Sequence, residues 1–188
     1  EFFFNHTANT VTVNALLAGS AGVRTNASNN GMNLNNNNNT FTGPILHDRG
    51  TLTYGSIGNV GGGASALGAP TTVENGTIRL AVGTIDASLR FDGNTNQSSD
   101  RIIALNGTTG GGILDHDGSG TSTLDLGVVR SDEYGTKNLT LRGATGTGAA
   151  SIDSVEEVLG VVNVVKDEGK TWTIRNDSNY SGTTSVNA

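Results

Sequence analysis

Apolar residues in this chain arrive in short bursts, and Gly, Asn, Asp or Ser cuts nearly every burst off before a helix could form. Strand-like runs recur at residues 10–14, 51–54, 71–73, 77–81, 88–91, 101–105, 112–115, 122–126, 138–142, 161–165 and 170–175. Each is too short for a helix, and several alternate polar with apolar residues, as a strand buried on one side does. Leu52, Ile78, Leu80, Leu89, Phe91, Leu124, Leu126, Leu139, Leu141, Trp172 and Ile174 would form one inward-facing set, with Thr, Arg, Asp and Lys between them. Composition agrees. The 28 glycines against 2 prolines favour tight turns, because glycine and asparagine reach the positive-φ conformations such turns need. Helical periodicity is confined to residues 154–159, ended by Gly160, where a turn or two of helix is expected.

The turns choose among sandwich, barrel and solenoid. Asn-Gly pairs able to close two-residue hairpins are few, Asn75-Gly76 and Asn106-Gly107 being the best candidates. The recurring unit is instead strand, glycine, strand and a loop of variable length, as in TTVENGTIRLAVGTIDASLRFDG. That pattern predicts one all-β domain over residues 1–188, a parallel β-helix (β-solenoid) with coils stacked about 4.8 Å apart. At roughly 20 to 25 residues per coil the chain would make about eight coils. The run Asn35 to Asn39 admits two readings. Amides at equivalent positions of successive coils can bond in ladders, and asparagine tolerates the left-handed conformation at a corner. Alternatively the run is a solvated loop, since five neighbours within one coil cannot all stack on partners elsewhere.

The run leads into Thr40-Phe41-Thr42-Gly43, and Asn179-Tyr180-Ser181-Gly182 repeats the pattern of polar residues, a hydroxyl-flanked aromatic and glycine. Residues 38–81, NNTFTGPILHDRGTLTYGSIGNVGGGASALGAPTTVENGTIRLA, resemble the autotransporter-associated β-strand repeat, in which an Asn-Thr-Tyr/Phe-Thr-Gly core leads into a short strand and a Gly-Thr-Leu strand. Residues 169–188, GKTWTIRNDSNYSGTTSVNA, resemble the same unit. The resemblance implies a right-handed parallel β-helix in a secreted or surface-exposed bacterial protein, a scaffold with no catalytic residues to carry across. PILHDRG departs from the pattern, with Pro44, His47, Asp48 and Arg49 where small and β-branched residues are usual, so that coil is expected to be irregular.

A formal charge of -6 without a basic cluster argues against nucleic-acid binding, which needs cations against the phosphates. No apolar run is long enough for a membrane span, and the first residues lack the form of a signal peptide. Cysteine is absent, so no disulfide staples the fold.

Few residues suggest chemistry. Gly61, Gly63 and Ala66 have the spacing of a dinucleotide fingerprint, but Pro70 and then a strand follow where a helix is required, so a flexible turn is expected. DHDGSG places Asp115, Asp117 and Ser119 at the first, third and fifth positions of a calcium loop, with glycine sixth. Leu126 stands at the twelfth position, where a bidentate glutamate belongs, so a calcium site here would be weak and completed by a neighbouring coil. Asx-turns at coil corners account for the same residues. Asp92, Asn94, Asn96 and Asp100 form a second partial set without the glycine. Asp115 and Asp117 also lie two apart on a strand, as a polysaccharide-cleaving pair would, yet the single Trp is expected inside and not on a sugar platform. His6, His47 and His116 lack metal-ligand spacing and are expected to be solvent-exposed.

Neither end of the sequence carries a polar cap. Either the chain is a segment of a longer repeat protein, or Phe2, Phe3, Phe4, Val11 and Val13 at one end and Val186 at the other form an assembly interface, residues 1–13 pairing onto the last coil of a preceding copy. Repeated head to tail, that contact makes a filament. The sequence thus points to a non-enzymatic stalk or filament subunit on or outside a bacterial cell, with adhesion to a polysaccharide or other surface ligand as a further role. A carbohydrate-binding or carbohydrate-cleaving β-helix is the alternative.

Overall fold

The computed structural model describes residues 1–187. In chain order its strands are β1 (Phe2–Asn5), β2 (Val11–Val13), β3 (Val23–Leu34), β4 (Ile45–Tyr54), β5 (Ile78–Gly83), β6 (Ala87–Phe91), β7 (Gln97–Ser98), β8 (Ile103–Gly107), β9 (Gly112–His116), β10 (Leu124–Leu126), β11 (Val129–Ser131), β12 (Thr136–Arg142), β13 (Ala150–Ile152), β14 (Val155–Glu157), β15 (Val161–Lys166), β16 (Trp172–Ile174) and β17 (Thr184–Val186). They pair in three parallel ladders that wind as a β-solenoid of about seven turns. On the first ladder Phe2, Val23, Ile45, Ile78, Ile103, Val129 and Val155 stand in register. The second carries Val11, Met32, Leu52, Leu89, Leu114, Leu141, Lys166 and Val186. The third sets Gln97, Leu124, Ala150 and Trp172 in line.

Alternation within each strand builds the core. Side chains one residue apart point to opposite faces, so Leu89 and Phe91, Leu124 and Leu126, and Leu139 and Leu141 turn inward while the residues between them face out. Trp172 and Ile174 pack on this core while remaining partly exposed. Inward rows also stack along the axis: Leu34, Tyr54, Phe91 and His116 form one column, with Tyr54 and Phe91 ring centroids 5.7 Å apart and Phe91 meeting His116 edge-on at 5.3 Å.

The third coil is the longest. Leu52 and Leu89 are neighbours in the ladder across 37 residues, whereas Met32 and Leu52 are separated by 20. Buried Arg101 pins the insertion, its Nε donating to the Gly76 carbonyl at 2.6 Å and Nη1 to that of Leu67 at 2.7 Å. Within the insertion lies a single helical turn, Val73–Gly76, begun by Thr72, whose Oγ1 accepts from the Asn75 N–H at 3.3 Å. That turn replaces the strand expected at 71–73 and takes up Asn75-Gly76, one of the two candidate hairpin links. Asn106 and Gly107, the other candidate link, end β8, as the solenoid unit without hairpins predicts. Residues 154–159 hold β14 instead of helix, because Val155 completes the first ladder beneath Val129. The irregularity expected at PILHDRG is present: the register of β3 against β4 slips between Thr25 and Gly31.

Candidate functional site

The candidate carboxylates lie where the second ladder turns its corner. Glycines let the coils close up here. A Cβ on Gly93 would strike the carbonyl oxygen of Gly55, one on Gly118 that of Gly93, and one on Gly146 that of Gly118. Asp115 and Asp117 flank buried His116, as strand alternation requires. Each carboxylate is used between coils. Asp115 Oδ2 accepts from Arg142 Nε at 3.1 Å and Nη2 at 3.0 Å. Asp117 Oδ2 pairs with Arg90 at 2.6 Å, and its Oδ1 accepts the Ala144 N–H at 2.9 Å and the Thr145 N–H at 3.3 Å. Burial acts to raise the Asp117 pKa, but the Ala144 hydrogen bond, the Arg90 charge and the Thr145 bonds outweigh it and hold the carboxyl below its ordinary value.

This geometry suits inter-coil fastening. Asp117 is held ionised, and the Arg142 guanidinium bonds Asp115, so both carboxylates link one coil to another. A calcium ion at DHDGSG would have to draw both carboxylates away from their arginines. Among the described residues no three His, Asp or Glu side chains converge to hold a metal ion. Ser119, third of the expected ligands, is exposed and hydrogen-bonds through its N–H to the Gly93 carbonyl at 3.0 Å. The structure therefore groups it with the second partial set. Ser119, Asp92 and Asn94 line one polar groove with Asn35 and Asn37, a cavity of about 350 Å³. Asn96 and Asp100 serve elsewhere, Asn96 accepting from the Thr123 N–H at 3.1 Å and Asp100 from the Val60 N–H at 2.8 Å.

Two of the three histidines contradict the expectation of exposure. His47 follows Ile45 by two and so faces inward, where Thr25 Oγ1 lies 2.5 Å from Nδ1 and the Gly50 carbonyl 3.0 Å from Nε2. Burial lowers its pKa to about 4. His116 is buried as well, and burial followed by the Lys170 charge pushes its pKa down. The alternation that places Leu and Ile inside places these histidines too.

The asparagine run divides by position. Asn39 is buried, its Oδ1 accepting the Leu17 N–H at 2.9 Å and its Nδ2 donating to the Ala66 carbonyl at 3.0 Å, so one side chain ties three coils. Asn35 bonds Asn14 side chain to side chain at 3.2 Å, while Asn38 is exposed. Both readings of the run hold, each for different members of it. A second amide ladder joins Asn138 to Asn163 at 3.1 Å.

Residues 1–13 form the first coil of this chain's own solenoid. β1 pairs with Val23–Asn26 and β2 with Met32–Leu34. Phe2, Phe4 and Val13 pack against the core, and exposed Phe3 has the Arg24 guanidinium 5.6 Å from its ring centroid. Val11 is partly exposed, and Val186 stands exposed on β17.

The fold and its outer faces define a class: a parallel β-solenoid with charged and amide side chains fastening coil to coil. Over 113 residues, 58% of the chain, the sequence is 38% identical to the Adhesin BmaC autotransporter of Brucella suis biovar 1 (strain 1330). The chain spans 3% of that relative's length. No family model matches, and no solved structure matches. The resemblance to autotransporter repeats thus stands on the solenoid architecture and on this similarity together.

Proposed function

We propose that this chain is a scaffold segment of a secreted or surface-displayed bacterial protein, a rigid rod that carries adhesive surface and performs no catalysis. The observation that carries the reading is the continuity of the second ladder from β2 through β17, in which every coil is bonded to the next. A rod made of nearest-neighbour contacts stays stiff while its loops vary. Similarity to an autotransporter adhesin supports the location and the adhesive role. Side chains with catalytic potential serve the stack instead, Asp115 and Asp117 among them. Head-to-tail stacking of copies would extend such a rod into a filament.

The test couples the purified chain to beads and scores their retention on cultured epithelial cells, beside an assay for reducing ends released from a polysaccharide panel. Beads are expected to be retained and reducing ends to stay at background. Release that disappears in Asp117→Asn would replace this reading with the hydrolase alternative.

A further inference from the structure

The groove at the second corner crosses four successive coils: Asn35 and Asn37 on one, Ser56 on the next, then Asp92 and Asn94, and finally Ser119. At the inter-coil spacing of about 4.8 Å it extends roughly 14 Å. Gly55 and Gly93 line it as well, and the space their side chains would fill is taken by Asn37, by the Gly55 carbonyl and by the Phe91 ring, so the coils pack closely along it. Its polar groups are only partly used by the protein. Asn37 Oδ1 accepts from Ser56 Oγ at 2.9 Å, leaving the Asn37 amide protons to donate. Asn35 Nδ2 donates to Asn14, leaving its oxygen to accept. Asp92 is exposed, yet desolvation of its carboxylate by the neighbouring coils raises its pKa against the Arg90 charge and its own N–H. The groove thus offers donors and acceptors in alternation with a single negative charge.

We propose that this groove binds a neutral oligosaccharide lying along the solenoid axis. Sugar hydroxyls donate and accept at once, so they can satisfy a mixed row of amides, hydroxyls and one carboxylate. An apolar ligand would leave those groups unpaired. An acidic glycan would meet the Asp92 charge on a chain that already carries -6. A divalent cation would find one carboxylate where such ions take several oxygen ligands. The coil spacing is close to the length of one pyranose residue, so successive sugars would meet successive coils.

This inference deepens the adhesive reading by naming a ligand class and its place, and its test separates the two. Amide NMR spectra of the whole chain are recorded during titration with cellotetraose, chitotetraose and, as the acidic contrast, tetragalacturonate. Shifts confined to residues 35–37, 55–56, 92–95 and 119 are expected with a neutral tetrasaccharide, weaker by at least tenfold in Asp92→Ala and in Asn94→Ala, and unchanged in Thr109→Ala on another corner. Both affected side chains are exposed, so the variants are expected to fold, and their spectra show whether they do. Absence of groove shifts with every neutral sugar, or binding indifferent to Asp92→Ala, would overturn the site. Calcium alone producing the same shifts would identify a cation site in its place. If Asp92→Ala loses sugar while its beads still adhere, the site stands and adhesion uses another surface; if sugar binds but beads never adhere, the adhesive reading fails alone.

Discussion

Asn38 and Asn39 are adjacent and chemically identical, yet one faces solvent and the other joins three coils. Replacing Asn39 with alanine strands the Leu17 N–H and the Ala66 carbonyl in the interior, at about 1–3 kcal/mol for each unsatisfied group. Asn39→Ala is therefore expected to lower stability by about 2–4 kcal/mol in urea titrations, while Asn38→Ala should stay within roughly 0.5 kcal/mol of the parent. His47 makes a second prediction. Its folded pKa of about 4 lies below the unfolded value of 6.5, so the unfolded chain takes up a proton that the native chain refuses. Stability from this residue is complete above pH 6.5 and is lost as pH falls toward 4, by about 3 kcal/mol at most. His116 acts in the same direction. Urea midpoints measured between pH 7 and pH 4 should fall steeply in the parent and less steeply in His47→Gln; equal slopes would show that His47 is not the titrating group.

Strands and corners divide the work differently. The strands needed little more than alternation, and the inward set at Leu52, Ile78, Leu80, Leu89, Phe91, Leu124, Leu126, Leu139 and Leu141 is buried as the pattern predicts. Corners depend on how closely coils approach. Gly148 lies under the Ser122 carbonyl, which a Cβ would strike, whereas Gly63 faces open space at an ordinary φ. Gly148→Ala is expected to destabilise by about 2 kcal/mol or more, the range of overpacking and backbone strain. Gly63→Ala should be neutral or stabilising by up to about 1 kcal/mol, since alanine restricts the unfolded chain. Thermal melts of the pair decide it, and equal effects would mean that the coils can shift to make room. Residues 154–159 show the limit of local periodicity. Val155, Val158 and Leu159 have helical spacing, but Val155 is taken into the ladder while Val158 and Leu159 are left exposed at a corner.

For the molecule as a whole, stability should be a sum over coils and their interfaces. Excising residues 103–128 removes one strand from each ladder and sets Ile78 against Val129, which Ile103 now separates. That variant is expected to fold into a rod one coil shorter, with a cooperative urea transition and a smaller slope. Excising residues 103–115 removes β8 and most of β9 but keeps β10, throws the ladders out of phase and should unfold the chain; circular dichroism distinguishes the outcomes. The sequence by itself determined most of the buried strand positions, the stacked parallel plan and the likeness to autotransporter repeats, because side-chain alternation and turn preference are properties of neighbouring residues, but no expected run covered β3, β11 or β13. Only the tertiary structure decided that Asp115 meets Arg142 and Asp117 meets Arg90, that Asn39 alone of its run is buried, and that Ser119 shares a groove with Asp92. Those contacts join residues about one coil apart along the chain. Coil length varies from 20 to 37 residues between successive second-ladder strands, so which side chains lie above one another is set by how each loop folds back onto the stack.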